Sequence, residues 1–459
     1  MSPIPSQASG HPLAALLAEA QWSRADLARA VNALGHEAGY RLRYDRSSVA
    51  RWMTGTHPRP PAPALVAQAL SRRCGRLVTP QETGLVHSAP SRPPHTHDLD
   101  GEHGDAVRAT HDLCDIDVRG DDRVTLTGIA YQVGPVPLWP PPRPRPVLAH
   151  GHRPSRHDLR YLDELTHHYA AHTERHGGGR ARTALAAILR DEAVPLLRAQ
   201  APQALHQQLL ASTTRLVYLL ATMTSDTGWN GLAQRYHRTA LALAHEADDR
   251  PLYAVTLRAM STQALLLGHP HHAIDLAEAA LNTADNRATP AQSAFLLAQR
   301  AHAHALTGTR HQAIADLLEA ERQHARADSP PGPFTQYPRA ALEYQRAAVF
   351  HTLGDHQAQL EALRASLAHR NPAQRRPYAL TQARLAEAVT DLGHIEAAAA
   401  LWHGFLDHYP QLHSVQAHHA LNRLETALAR FPHQPAATAL RERARALSTA
   451  QPATRTPMT

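Results

Sequence analysis

The chain has 459 residues, which is enough for two or three domains and a large buried core. Its formal net charge is +7, and all 47 of its basic lysine-or-arginine positions are arginine. The absence of lysine excludes chemistry that needs one, such as a P-loop phosphate site, a kinase active site or a pyridoxal Schiff base.

Composition favours an all-α protein of the cytoplasm. Alanine and leucine dominate and aromatic residues make up only 5% of the chain, which favours helix over sheet. The two cysteines, Cys74 and Cys114, fit neither a zinc motif nor a disulfide framework, so a reducing compartment is expected. The first residues lack a signal-peptide pattern, and no window approaches about 18 continuous apolar residues. We therefore expect no contact with membranes.

The first domain is predicted over residues 11–87, after a disordered start at residues 1–10. Residues 1–90 contain ten arginines and five carboxylates, a local charge of +5 that is typical of a nucleic-acid-binding module. Apolar residues at helical spacing predict two helices, the second capped by Ser23 with Asp26. The apolar faces of these helices consist of Leu13, Leu16, Leu17, Ala20, Leu27, Val31 and Leu34.

The segment RSSVARWMT predicts a third helix, with Asp45 as its N-cap and Gly55 at its end. Val49, Trp52 and Met53 share one face, which suits burial against the first two helices. A fourth helix follows the PRPPAP segment and runs through ALVAQALSRR.

The other face of the third helix presents Arg46, Ser47 and Arg51. Two forked guanidinium groups and a short hydroxyl can enter the major groove of DNA and pair with guanine O6 and N7. An ordinary solvated helix face is the alternative interpretation.

The order of these elements, with SVARWMTG followed by a basic proline turn and an apolar helix, resembles the helix-turn-helix of phage-repressor-type (XRE-like) regulators. The resemblance implies that the third helix is the recognition helix and that Arg46, Ser47 and Arg51 read bases. The residues that it places on the DNA backbone are Ser23, Arg24 and Arg59.

One segment departs from that family. ALGHEAGYRLRY, between the second helix and Asp45, is longer than the tight turn of the family. Its Arg41 and Arg43 either extend the contact with the DNA backbone, or the insertion reorients the third helix; both interpretations stay open.

Residues 88–156 are predicted to be a proline-rich linker, because PSRPPH and GPVPLWPPPRPRP favour extended or polyproline geometry. Within it, residues 123–133 are interpreted as one strand or part of a short ordered patch. The GGGR segment at residues 177–180 permits a sharp turn or a phosphate nest, although no strand precedes it to favour a nucleotide site.

Residues 157–446 are predicted to form a solenoid of helical pairs, followed by a disordered tail at 447–459. Five glycines recur at spacings of 40, 40, 46 and 39 residues, with small residues at fixed offsets that let helices approach closely. These glycines are Gly228, Gly268, Gly308, Gly354 and Gly393. The pattern resembles tetratricopeptide repeats, although its period exceeds the roughly 34 residues of that family, and a related helical-pair solenoid is the alternative.

Helix-start signals support these pairs. Thr309 with Gln312 predicts a capping box, Asp355 predicts an N-cap, and Thr289 with Pro290 predicts another helix start.

Tetratricopeptide geometry implies a concave face that binds a partner. The positions that the resemblance assigns to this groove are Tyr218, Arg258, Thr262, Phe295, His302, Tyr344 and Glu387. The alternative is that several of them simply coat the stack.

Three parts of the chain carry a further resemblance: DRSSVARWMTGTHPRPPAPALVAQALSRRCGRLVTPQETGL, the proline-rich middle, and RHGGGRARTALAAILRDEAVPLLR before the repeats. Over almost its whole length the chain resembles actinobacterial regulators that join such a head to tetratricopeptide repeats and are associated with control of differentiation and secondary metabolism. The resemblance implies a sequence-specific transcriptional regulator that binds double-stranded DNA as a homodimer, on two half-sites about one helical turn apart. The repeats would supply the dimer contact, a groove for a peptide, protein or small-molecule effector, or both. A protein-interaction scaffold with a degenerate head is the competing hypothesis.

An enzyme is not expected, and no catalytic residue, cofactor or metal ligand is predicted. No nucleophile with a base and no phosphate loop rises above chance spacing. Histidine pairs such as His168 and His172 have helical spacing, but no carboxylate or cysteine completes a zinc set.

Overall fold

The computed structural model of the protein describes residues 11–37, 42–59, 62–74, 78, 80, 82–85, 105–119, 129, 131–141, 153–330 and 332–450. Every regular element within these ranges is helical, which confirms the all-α prediction. The chain divides into two compact units, the first formed by Met1–Thr96, Val124–Pro135 and Gly228–Leu232 and the second by the remaining residues. None of the described helices is both long enough and apolar enough to cross a membrane.

The head, as we call the four helices near the start of the first unit, follows the predicted order. Its helices are α1 (Pro12–Glu19), α2 (Arg24–Glu37), α3 (Arg46–Met53) and α4 (Ala62–Cys74). α2 packs against α3 and α4, and α1 packs against α4. Leu13, Leu27, Val31, Val49 and Leu70 are fully buried between them. The apolar faces read from the sequence therefore form one core.

α2 contains the three predicted apolar positions Leu27, Val31 and Leu34, and Leu34 is 4% exposed. The helix ends at Glu37, so the first residues of the segment ALGHEAGYRLRY, which was predicted to follow the helix, belong to it. Part of the apparent insertion is thus an extended α2.

The segment predicted to be a proline-rich linker, residues 88–156, contains a helix that the sequence did not predict, α5 (Ala106–Arg119). Its buried face includes Ala106, Thr110, Leu113, Cys114 and Asp117. These buried positions recur every three or four residues, so the helical period is present in the sequence; the proline-rich segments on either side favoured the linker interpretation. Of the predicted strand or patch at 123–133, the structure describes 129 and 131–133, and none of these four residues is in a strand.

The remaining helices form the repeat body. They are α6 (Arg156–His176), α7 (Arg182–Ile188), α8 (Val194–Arg198), α9 (Gln203–Asp226), α10 (Asn230–Glu246), α11 (Arg250–Leu266), α12 (Pro270–Ala284), α13 (Pro290–Leu306), α14 (Arg310–Ala325), α15 (Arg339–Thr352), α16 (His356–His369), α17 (Arg375–Asp391), α18 (Ile395–His408), α19 (Val415–Leu428) and α20 (Pro435–Ala450). A π-helical turn, Leu189–Ala193, joins α7 to α8.

The pairing predicted from the glycine spacing is confirmed at Gly268, Gly308, Gly354 and Gly393. α11 to α18 pack as consecutive pairs, α11 with α12 through α17 with α18. All five repeat glycines have φ between 77° and 88°, a backbone conformation that glycine adopts without strain. α20 continues to Ala450, with Leu447 packed against the core, so the helix enters the tail expected at 447–459.

Two of the three predicted helix starts are confirmed. Thr289 forms a capping box with Gln292, and the Asp355 carboxylate accepts a hydrogen bond from the backbone N–H of Ala358 at 3.0 Å. The prediction of a capping box at Thr309 is wrong. Its hydroxyl instead lies 2.8 Å from His304 Nδ1, because the preceding helix offers a competing partner.

α6 bridges the two ends of the repeat body. It packs against both α9 and α17, the first helices of distant pairs. Asp163 accepts a hydrogen bond from the Ser212 hydroxyl at 2.7 Å, and Glu174 accepts one from Gln374 Nε2 at 2.9 Å. α6 therefore lies across the inner face that the first helices form, and this face is not open along its full length.

The GGGR segment has a structural role in this bridge. Gly178 N–H donates to Asp226 at 3.0 Å, and Gly179 N–H donates to the His413 carbonyl at 3.1 Å. A Cβ atom at Gly178 would lie 2.4 Å from the Met223 carbonyl oxygen. The glycines thus allow the chain after α6 to pass directly against two distant backbones.

Candidate nucleic-acid interface

The start of α3 is organised by one carboxylate. Asp45 Oδ1 accepts hydrogen bonds from the Ser48 backbone N–H at 2.7 Å, the Ser48 hydroxyl at 2.7 Å and the Ser47 hydroxyl at 2.8 Å. The bonds from Ser48 and then Ser47 lower the pKa of Asp45 to about 2. This confirms the predicted N-cap, which fixes the first turn of the helix that carries Arg46.

A side chain of α2 holds the residue before that cap. Asn32 Nδ2 donates to the Tyr44 carbonyl at 2.7 Å, and Asn32 Oδ1 accepts from the Tyr44 N–H at 2.8 Å. The Tyr44 ring also meets the Trp52 ring edge to face, with centroids 4.9 Å apart. The backbone leading into α3 is therefore attached to α2 and to the buried face of α3.

The inner face of α3 is the predicted one. Val49 is fully buried, Trp52 is 4% exposed and Met53 is partly buried. Gly55 follows with φ 102°, and the Thr56 N–H donates to the Arg51 carbonyl at 2.9 Å. A helix anchored at both ends and along its inner face can present its outer side chains in a defined orientation.

The predicted base-reading residues are exposed on the outer side of α3. Within the described part of the chain, the side chains of Arg46 and Arg51 form no ion pair or hydrogen bond. Ser47 is exposed as well, but its hydroxyl proton is directed to Asp45. Ser47 can therefore accept a hydrogen bond from a base without losing the cap, whereas the two guanidinium groups keep all their donors.

Residues from α1, α2 and α3 line one shallow cavity of about 490 Å³. Its lining consists of Ala14, Leu17, Ala18, Trp22, Ser23, Arg24, Ala25, Arg46 and Met53. The cavity brings Arg46, a predicted base-reading residue, beside Ser23 and Arg24, which were predicted to contact the DNA backbone. Residues that are 23 positions apart in the chain thus share one surface.

The predicted cap of α2 is confirmed at the same place. Ser23 Oγ donates to Asp26 Oδ2 at 2.6 Å, and Asp26 N–H donates back to Ser23 Oγ at 3.2 Å. The bonds from Ser23, with a further one from Arg29, lower the pKa of Asp26 to about 2. Arg24 begins α2 and is exposed.

The other predicted backbone contacts are distributed around α3. Arg43 and Arg59 are exposed, one before and one after this helix. Arg41 lies outside the described residues. The contact between Asn32 and Tyr44 was not predicted. The sequence offers little sign of it beyond a polar residue in α2 and an aromatic residue just before α3.

The seven predicted groove positions lie on first helices of the repeat body, and all are partly exposed. Phe334 and Tyr337, in the long segment between α14 and α15, were not predicted; their rings contact Tyr218 and Phe295 at centroid distances of 5.1 Å each. Among the residues that the structure describes, no group of three or more His, Cys, Asp or Glu side chains could hold a metal ion.

The geometry of the head can be compared with known families. The SP15 N-terminal domain family matches residues 13–86. This range begins in α1 and extends past the end of α4, so the similarity covers the head and none of the repeat body. No curated protein matches the chain.

Proposed function

We propose that the protein is a sequence-specific DNA-binding transcriptional regulator of the cytoplasm. One observation carries the proposal: α3 is anchored at both ends and presents Arg46 and Arg51, whose side chains have no partner among the described residues, while Arg46 shares a surface with Ser23 and Arg24. Unpaired guanidinium groups on an oriented helix are suited to guanine edges and phosphates, because Arg offers a planar fork of donors.

In this proposal α3 enters the major groove. Arg46 and Arg51 pair with bases, with Ser47 as an acceptor beside them, and Ser23, Arg24, Arg43 and Arg59 contact phosphates on either side. A single head of this size contacts few base pairs, so a homodimer on two half-sites is expected. The repeat body supplies the dimer contact, an effector site or both, and the resemblance to actinobacterial regulators suggests target genes of differentiation or secondary metabolism.

The test begins with selection of genomic fragments by the full-length protein, followed by titration of the recovered site. Arg46→Ala and Arg51→Ala should each cost about 1–3 kcal/mol of binding and relax the preference at one base position. Arg24→Ala should weaken binding to all sequences and reduce the salt slope by about 1.

Arg29→Ala is the matched control. Arg29 is an equally charged, exposed residue of α2 that is already paired with Asp26. It should lower affinity less than Arg24→Ala does. Equal recovery of unspecific fragments by the wild type and by the Arg46→Ala/Arg51→Ala variant would reject sequence reading by α3 and favour the scaffold hypothesis.

A further inference from the structure

On the inner face of the repeat body, an arginine is stacked on an aromatic ring and has no carboxylate partner among the described residues. The Arg258 guanidinium carbon, from α11, is 3.8 Å from the ring centroid of Phe295, from α13. Arg258 Nε is buried without a hydrogen-bond partner among the described residues, and no described carboxylate pairs with this side chain. By contrast, Arg300 and Arg423, from other first helices, pair with Asp316 and Glu387 at 2.6 Å and 2.8 Å.

Aromatic side chains enclose this arginine. The Tyr337 ring, which contacts Phe295, is 7% exposed, and its hydroxyl also has no hydrogen-bond partner among the described residues. Phe334 contacts Tyr218 of α9. The long segment between α14 and α15 accounts for the 46-residue spacing between Gly308 and Gly354. It reaches back to α9 and covers part of the inner face.

Arg258 is the charged group of this enclosure, because the neighbouring His302 is neutral near pH 7. Burial lowers the pKa of His302 to about 4, and repulsion from Arg384, Arg258 and His351 adds to this lowering. Burial also lowers the pKa of Arg258, and the Tyr218 and Tyr337 hydroxyls partly oppose it. Arg258 stays charged because a guanidinium loses its proton only at very high pH. The enclosure is thus suited to a negative group.

We propose that this enclosure binds a small organic anion, whose acidic group pairs with Arg258 and whose flat apolar body lies against Phe295, Tyr218 and Phe334. A small molecule is favoured over a helix or a long peptide, because α6 crosses the same inner face and Phe334 covers Tyr218 on it. This site does not depend on DNA binding, and it can be measured without DNA.

The test uses two fluorescent probes with the same apolar body and different charge. 1-Anilinonaphthalene-8-sulfonate is an aromatic anion, and N-phenyl-1-naphthylamine is its neutral counterpart. The full-length wild type should bind the sulfonate saturably at one site. Arg258→Gln should weaken sulfonate binding by about tenfold or more, the effect of losing one hydrogen-bonded charge pair, and leave binding of the neutral probe unchanged.

Two further variants make the result specific. Arg364→Gln removes an exposed arginine from the second helix α16 and should change neither affinity. The Tyr337 hydroxyl has no hydrogen-bond partner among the described residues and can donate to the acidic group beside Arg258. Tyr337→Phe should therefore keep the unfolding midpoint and weaken sulfonate binding selectively, even if Arg258→Gln does not fold. Equal sulfonate affinity in the wild type, Arg258→Gln and Tyr337→Phe would overturn the proposal, as would binding that does not saturate.

Discussion

The Asp45 side chain determines both how α3 begins and how Ser47 can form hydrogen bonds. Its carboxylate accepts three hydrogen bonds from Ser47 and Ser48, so it closes the first turn of α3 and also occupies the hydroxyl proton of Ser47. The same carboxylate thus orients the proposed reading helix and limits the role of one of its predicted base-reading residues to that of an acceptor.

We expect the contribution of Asp45 to depend on pH. Because hydrogen bonds hold its pKa at about 2, below the value in an unfolded chain, the stabilisation is present above pH 4 and is lost as the pH falls through 2. Asp45→Asn keeps an acceptor but removes the charge, so its urea midpoint should lie below that of the wild type at pH 6. The Trp52 indole signal can report this transition.

The difference between the urea midpoints of the wild type and Asp45→Asn should become smaller as the pH falls from 6 to 3. Asp328→Asn changes an exposed carboxylate of the repeat body and serves as the control, with no effect on the head at either pH. A gap between Asp45→Asn and the wild type that stays constant from pH 6 to pH 3 would contradict the role assigned to the charge.

The helix α5 depends on a buried ion pair. Arg182 Nη1 and Nη2 donate to Asp117 at 2.5 Å and 2.6 Å, and the Tyr236 hydroxyl donates to the same carboxylate at 2.7 Å. Arg182 is 2% exposed and Asp117 is fully buried. Burying two charges is favourable only with such complete pairing, so the pair specifies one position for α5 on the repeat body.

Arg182→Met should destabilise the repeat body by about 3–5 kcal/mol, because it leaves Asp117 buried without its cation. The double variant Asp117→Leu/Arg182→Met should recover much of that loss. Cys114 reports the position of α5: burial raises the pKa of its thiol, and the Asp117 carboxylate adds to this. A thiol reagent should therefore modify Cys74, which is partly exposed, well before Cys114 in the wild type.

In Arg182→Met, the thiol reagent should modify Cys114 much faster than in the wild type. Its rate of reaction with Cys74 should not change. Unchanged Cys114 reactivity together with wild-type stability would show that α5 is held by its apolar contacts and not by the ion pair.

The repeat body is closed by contacts between distant parts of the chain. Asp226, which is 5% exposed, accepts hydrogen bonds from Gly178, Arg376 and Ser414 at 3.0 Å, 2.7 Å and 2.8 Å. The His413 N–H donates to the His176 carbonyl at 2.7 Å. Unlike a linear solenoid, in which each repeat contacts only its neighbours, this body joins its first and last pairs through the turn after α6.

Asp226→Ala should therefore loosen two distant segments together. It removes the acceptor of a largely buried arginine, so we expect a loss of about 3 kcal/mol in the stability of the closure. Hydrogen exchange should accelerate at Gly178 and Gly179 and also near His413, with little change in α13 and α14.

Asp316→Ala provides the comparison, since Asp316 pairs with Arg300 within one helical pair. It should accelerate exchange only in α13 and α14. Faster exchange confined to the end of α9 in Asp226→Ala would mean that the turn after α6 is not coupled to the last pairs.

The sequence predicted well wherever a signal is local. Asp45 and Gly55 bound α3, Ser23 with Asp26 begins α2, and the five glycines mark the turns of the repeat body, because caps and positive φ values are decided by a few consecutive residues. The capping box predicted at Thr309 is wrong because its hydroxyl donates to the His304 carbonyl and contacts the His304 ring, partners in the preceding helix that the local pattern does not include. The DNA-reading and groove roles of the named residues remain predictions.

The amino-acid sequence by itself determined the all-α class, the basic charge of the first ninety residues and the helical-pair period, because composition and periodicity act through local propensity and apolar patterning. Only the tertiary structure decided that Asn32 binds Tyr44, that Asp117 of α5 pairs with Arg182, and that Arg258 stacks on Phe295. Each of these joins residues far apart in the chain, and such contacts depend on how whole helices pack, which no local pattern records.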